Sequence, residues 1–271
     1  MKKKIGLFVV SLVCLLVGFF LHEPYRTLEL EEAGSEYGAS IEYTDMDQAM
    51  AAENSSEDLT DEKVVVIDPG HQLKGDLSKE PIGPGASQTK AKVTYGNCGV
   101  KTGAPEYEIN LLISLKLQAE LESRGYTVIM CRTENDVNLS NSERAMIAND
   151  ANADAFIRVH ANGSEYPSVH GAMGMCQTAE NPYNADQYEA SRLLSDCVLD
   201  GVVNETGCKK QGVFEDDTMS GINWSQVPVT VIEVGYLSNS DEEALLVTDE
   251  YQELIAQGIA DGVDAYFNAM Q

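Results

Sequence analysis

After residue 62 the apolar positions follow two alternating rhythms, and their order outlines a fold. Val64-Val65-Val66-Ile67 is a continuous β-branched run between Glu62-Lys63 and Pro69-Gly70. It predicts a short strand buried on both faces, as at the centre of an α/β sheet. Over residues 106–124 the apolar positions Ile109, Leu112, Ile113, Leu117 and Leu121 share one helical face, and Gly125 stops the helix. Residues 126–131 read as a strand. Ser140-Asn-Ser-Glu143 reads as a capping box opening a helix to about residue 151. Residues 155–160 and 171–176 are predicted strands, and 183–204 a helix. The last strand is 229–233; Ser240 to Glu243 caps one helix, and Thr248 starts a closing helix to residue 267. This alternation predicts one α/β domain over 63–271, with a mixed, mostly parallel sheet and helices on both faces.

Ahead of residue 63 the pattern changes. Met1-Lys2-Lys3-Lys4 precedes 17 uncharged, mainly apolar residues from Ile5 to Leu21. Residues 1–21 are therefore expected to be a signal peptide or membrane anchor. No small-x-small cleavage site follows, which favours the anchor, and the lysines would stay inside. Residues 22–62 hold thirteen Asp/Glu and one Arg without apolar periodicity. They are expected to be an acidic disordered linker that holds an exported domain off the membrane.

Charge narrows the partners. With 44 Asp+Glu against 18 Lys+Arg the formal net charge is −26. Nucleic acid and anionic lipid headgroups are excluded as partners, leaving membrane contact only through the N-terminal segment. Cys14 lies in the apolar segment and five cysteines follow it: Cys98, Cys131, Cys176, Cys197 and Cys208. The odd count leaves at least one thiol unpaired, and the lack of a C-x-x-C argues against a cysteine zinc site. Cys131 and Cys176 fall in predicted strands and read as small buried residues. A Cys197–Cys208 pair is left open.

Candidate chemistry sits at the ends of elements. Pro69-Gly70 turns the chain and delivers His71 to the carboxyl end of its strand, where ligands bind in open α/β sheets. His160 and Glu233 end two other strands, and Glu106 begins a helix. Two neutral imidazoles and a carboxylate can hold zinc with a fourth position open, while a second carboxylate moves the proton. Plainer readings stand beside this one. A strand-end histidine can be a satisfied core residue, Glu106 after Pro105 a first-turn acid, and Glu233 a buried acid bonded to backbone. Glu143 is a cap and His170 a surface residue. The pattern alone leaves open which glutamate would bind metal.

Four blocks carry a family resemblance: Val65-Val66-Ile67-Asp68-Pro69-Gly70-His71, Glu106-Tyr-Glu-Ile-Asn-Leu, Arg158-Val-His160-Ala161-Asn162 and Val231-Ile-Glu233-Val-Gly-Tyr-Leu-Ser-Asn239. With Leu139 to Asn149 between them, they resemble the zinc-dependent N-acetylmuramoyl-L-alanine amidases (amidase type 3), in order over roughly 63–268. The resemblance implies His71, Glu106 and His160 as Zn2+ ligands and Glu233 as the catalytic carboxylate. It implies about six strands, and peptidoglycan as substrate, cut between N-acetylmuramic acid and L-alanine of the stem peptide. The catalytic domain is expected to be monomeric, and the chain membrane-anchored facing outward or secreted to the cell wall. From the chemistry alone, a zinc peptidase cutting within wall peptides and a non-catalytic wall-binding module stay in play. Residues 72–104 depart from the usual short Gly-rich loop and carry Lys74, Lys79, Lys90 and Lys92. That segment is either a solvated loop or a groove wall whose lysines meet carboxylates of the stem peptide.

Overall fold

The computed structural model describes residues 62–271; the expectations for 1–21 and for the linker up to residue 61 lie outside the described residues. The strands are β1 (Val64–Pro69), β2 (Asp76–Pro81), β3 (Thr89–Val93), β4 (Thr127–Met130), β5 (Ala155–Asn162), β6 (Ala172–Cys176), β7 (Lys210–Glu215) and β8 (Val229–Tyr236). The helices are α1 (Glu106–Ser123), α2 (Asn141–Asp150), α3 (Tyr188–Thr206), α4 (Ser220–Asn223), α5 (Ser240–Leu246) and α6 (Asp249–Ala269). Six strands form one sheet in the order β4-β1-β5-β8-β6-β7. Every neighbouring pair is parallel except β6 with β8. The expected mixed, mostly parallel sheet is therefore present.

Strand periodicity explains where the polar residues end up. Val65 and Ile67 of β1, Ile157 of β5 and Ile232 of β8 point to one face, against Leu117 of α1, Val198 of α3 and Ile259 of α6. Val66, Phe156 and Val231 point to the other, against Ala145 and Ala148 of α2 and Ile222 of α4. Two residues further along, this second stripe continues as Asp68, Arg158, His160 and Glu233. The register sets Asp68 beside Arg158 and His160 beside Glu233. One sheet face thus changes from apolar to charged at its carboxyl edge.

The caps follow local chemistry. Ser140 and Glu143 close the capping box of α2, with Ser140 N donating to Glu143 Oε2 at 2.8 Å. Thr248 caps α6. The cap of α5 is Asn239 rather than Ser240; its Oδ1 accepts from the Asp241 and Glu242 amides. Asn is the stronger cap because its carbonyl reaches two orphan N–H groups of the first turn.

The sequence reading did not find β2, β3 or β7. DLSKEP, TKAKV and KQGVFE lack the alternation that marks a half-buried strand. Residues 72–104 are therefore not a solvated loop. The antiparallel β2–β3 hairpin docks through buried Ile82, Val93 and Glu80. Glu80 Oε2 accepts from the Ser142 hydroxyl at 2.5 Å, Asn141 Nδ2 donates to Lys92 O at 2.7 Å, and Trp224 Nε1 donates to Pro81 O at 2.9 Å. The described cysteines are all free, so Cys197 and Cys208 are not paired, while Cys131 and Cys176 are buried as expected. Among the described residues no helix is long and apolar enough to cross a membrane.

Candidate metal centre and active site

His71 lies just past β1 in a left-handed backbone conformation, φ 60°. A non-glycine residue there is strained by about 1–3 kcal/mol and needs surrounding structure to hold it. Two buried arginines supply that hold. Arg132 donates to the carbonyls of Pro69 (2.8 Å) and Gly70 (3.1 Å). Arg144 donates to those of Pro69 (3.0 Å) and His71 (3.1 Å). Three successive carbonyls are thereby fixed. Arg144 also meets Asp68 Oδ1 at 2.5 Å, and Arg158 meets Asp68 Oδ2 at 2.9 Å, so one buried carboxylate is shared by two guanidinium groups.

The four predicted residues divide into a cluster of three and a neighbour. Glu106, in the first turn of α1, turns its Oε1 toward both histidines. His71 Nε2 and His160 Nδ1 each lie 3.1 Å from that oxygen. Ligand atoms of His71, Glu106 and His160 all fall within 4.8 Å of one another. The two rings stand edge to face, centroids 4.9 Å apart. Glu233 faces the same cavity from β8. Because β5 and β8 continue past them, His160 and Glu233 are interior strand positions rather than ends; a register shift follows at His160/Asn162.

Hydrogen bonding around the cluster bears on what it can hold. His71 Nδ1 lies 3.0 Å from the Thr94 carbonyl, which can only accept, so Nδ1 carries a proton. In a neutral ring Nε2 then presents a lone pair to a carboxylate oxygen. Two acceptors at 3.1 Å repel unless a proton or a metal cation lies between them. His160 adds a second ring to the same oxygen, and its Nε2 is buried with no partner among the described residues. Glu106 Oε2 is occupied separately, accepting from Asn97 N (2.7 Å) and Asn97 Nδ2 (3.0 Å). Two imidazoles and one oriented carboxylate are the donor set of an open catalytic zinc site, with Thr94 and Asn97 as the outer groups that fix ligand orientation. These residues fit a divalent metal.

Electrostatics separate the two glutamates. Burial would raise the Glu106 carboxyl, but its contacts with His160 and His71 outweigh it and hold it well below the usual range. Glu233 goes the other way. Burial, and then the charge of Glu106, push it well above the usual range, with Arg158 opposing. Its Oε2 has no partner among the described residues. Glu106 is thus a committed anion, and Glu233 an uncommitted carboxyl able to take and release a proton. Burial lowers His160, which favours the neutral ring that a metal needs.

Sequence reasoning missed Asn97, Thr94 and Arg132. Thr94 acts through its backbone carbonyl, which no residue pattern encodes. Gly96 between them has φ 78°, and a Cβ there would stand 2.9 Å from Glu106 Oε2 and from the His71 ring. That glycine was readable as a turn, not as a close approach to the site.

The family described as N-acetylmuramoyl-L-alanine amidase matches residues 65–265. The chain belongs to this family. Among curated relatives it resembles the uncharacterised protein YqiI of Bacillus subtilis, 28% identical over 200 residues, 71% of this chain and 93% of YqiI. It also resembles the N-acetylmuramoyl-L-alanine amidase LytC of Bacillus subtilis, 26% identical over 205 residues, 76% of this chain but only 36% of LytC. The crystal structure of apo N-acetylmuramyl-L-alanine amidase Ami1 from Mycobacterium abscessus superposes with a TM-score of 0.69 at 26% identity. That match covers 76% of this chain and 98% of Ami1. In amidase terms the matched region holds His71, Glu106, His160 and Glu233, and it also spans the β2–β3 hairpin.

Proposed function

We propose that this amidase hydrolyses peptidoglycan at the amide joining N-acetylmuramic acid to L-alanine, with one zinc ion held by His71, Glu106 and His160 and with Glu233 carrying the proton. The observation that carries the metal assignment is the single Glu106 oxygen facing two ring nitrogens, one from each histidine. A zinc ion held there would supply Lewis acidity and lower the pKa of a water to about 7. Glu233 takes a proton from the attacking water and passes it to the leaving nitrogen. A C–O bond forms and the C–N bond breaks, leaving a carboxylate on the lactyl group of muramic acid and a free amine on L-alanine. Thr94 and Asn97 keep His71 and Glu106 oriented through the cycle. Residues 1–21, as anchor or signal peptide, would deliver the domain to the outer side of the membrane, where this substrate lies.

Metal content and activity test the reading together. The purified chain should contain about one equivalent of zinc, lose turnover on chelation and regain it when zinc is returned. A metal-free preparation with full activity would overturn the assignment.

A further inference from the structure

The cavity beside the three clustered residues has a volume of about 400 Å³. His71, His160 and Glu233 line it together with Lys90, Arg158 and Ser220. Glu233 is its only acid, so in a chain of net charge −26 this wall is cationic.

Arg158 gives that wall its character. It is 2% exposed. Nε donates to Asp68 and Nη2 donates to Asn141 Oδ1 at 2.7 Å, while Nη1 has no acceptor among the described residues. Nη1 lies against Gly221, where a Cβ would stand 1.9 Å away. Only glycine allows the chain to approach that nitrogen so closely. Asp68 cannot neutralise Arg158 fully, because Arg144 shares it. Ser220, 4% exposed, has a hydroxyl without a partner among the described residues.

The β2–β3 hairpin adds the second cation. Lys74 pairs with Asp136 at 3.1 Å, Lys92 with Asp76 at 3.7 Å, and Lys79 is exposed on β2. Lys90 alone of these lines the cavity, its Nζ donating to Thr218 Oγ1 at 3.1 Å. A hydroxyl leaves the ammonium charge uncancelled.

We propose that Lys90, Arg158 and Ser220 form a carboxylate subsite that holds a free carboxyl group of the stem peptide. The identity of that peptide rests on the amidase reading above. Charge-assisted hydrogen bonds from a desolvated guanidinium and an ammonium suit a carboxylate. Anchoring it here orients the scissile amide toward Glu233, which lines the same cavity. The first free carboxyl beyond the scissile bond is the α-carboxyl of the second residue, D-glutamate, which continues the chain through its side chain.

Binding to the full-length, metal-free chain tests this without requiring turnover. Stem tetrapeptides are titrated by calorimetry as the free acid, as the α-amide at the second residue, and as the C-terminal amide. The α-amide should bind about 10–100-fold more weakly than the free acid, the range for losing a charged hydrogen bond. Lys90→Ala should remove most of that preference and Lys90→Arg restore it; Lys90 is exposed, so these variants should fold. Weakening by the C-terminal amide instead would keep the subsite and assign it the other carboxyl. Equal binding of all three peptides, or an undiminished preference in Lys90→Ala, would overturn the subsite. A chain that prefers the acid yet releases no L-alanine amine from peptidoglycan would refute the amidase reading and leave the subsite standing.

Discussion

Glu233→Gln should lower turnover by ~10²–10⁴-fold, the usual worth of a positioned general acid–base, while zinc content stays at the wild-type level. Glutamine keeps the shape of the side chain and its place opposite His160 on β8. What it loses is the carboxyl that burial and Glu106 hold in reserve for a proton. Glu106→Ala should behave differently. It removes the oxygen that both imidazoles face, so metal content should fall together with activity. Zinc analysis beside steady-state kinetics separates the cases, and equal zinc loss in both variants would mean that Glu233 is a ligand.

Asp68→Asn should destabilise the fold by about 3–5 kcal/mol, the cost of leaving buried charges without their partner. Asp68 is fully buried between Arg144 and Arg158, and asparagine would leave two guanidinium groups facing each other. The damage should reach His71, because the same Arg144 holds the carbonyls of Pro69 and His71. Acid should mimic the substitution. Burial alone would raise Asp68, but Arg144 and Arg158 hold its carboxyl below its ordinary value. Its contribution is therefore complete above the unfolded-state pKa of about 3.9 and is lost progressively as pH falls below that. Urea denaturation at pH 7 and near pH 3 should show the Asp68→Asn deficit shrinking at the lower pH. A deficit independent of pH would mean that Asp68 stabilises by packing rather than charge.

The elements that sequence revealed are those whose burial writes a period into the chain. Val64 to Ile67 and the α1 stripe were legible for that reason, except that Leu112 of the stripe is 44% exposed; α2 was legible through its capping box. The β2–β3 hairpin was not, since it docks through isolated residues such as Glu80 and Val93 and through hydrogen bonds to Asn141, Ser142 and Trp224. The site was half legible. His71, Glu106, His160 and Glu233 lie 35, 54 and 73 residues apart, so no local motif joins them; the sheet register pairs His160 with Glu233, and the turn after β1 and the start of α1 bring in His71 and Glu106. Which glutamate is placed to hold a metal became readable from partners: Glu106 meets both rings, while Glu233 Oε2 has no partner among the described residues. The carbonyl clamp of Arg132 and Arg144 left no trace, because it acts on backbone.

Mass spectrometry of the fragments released from purified sacculi is the most direct test of the bond that is cut. Cleavage by this chain should give intact stem peptides with a free L-alanine amine, and glycan strands whose muramic acid carries a free lactyl carboxylate. Fragments cut within the peptide, with L-alanine still attached to muramic acid, would contradict the amidase assignment and point to a peptidase.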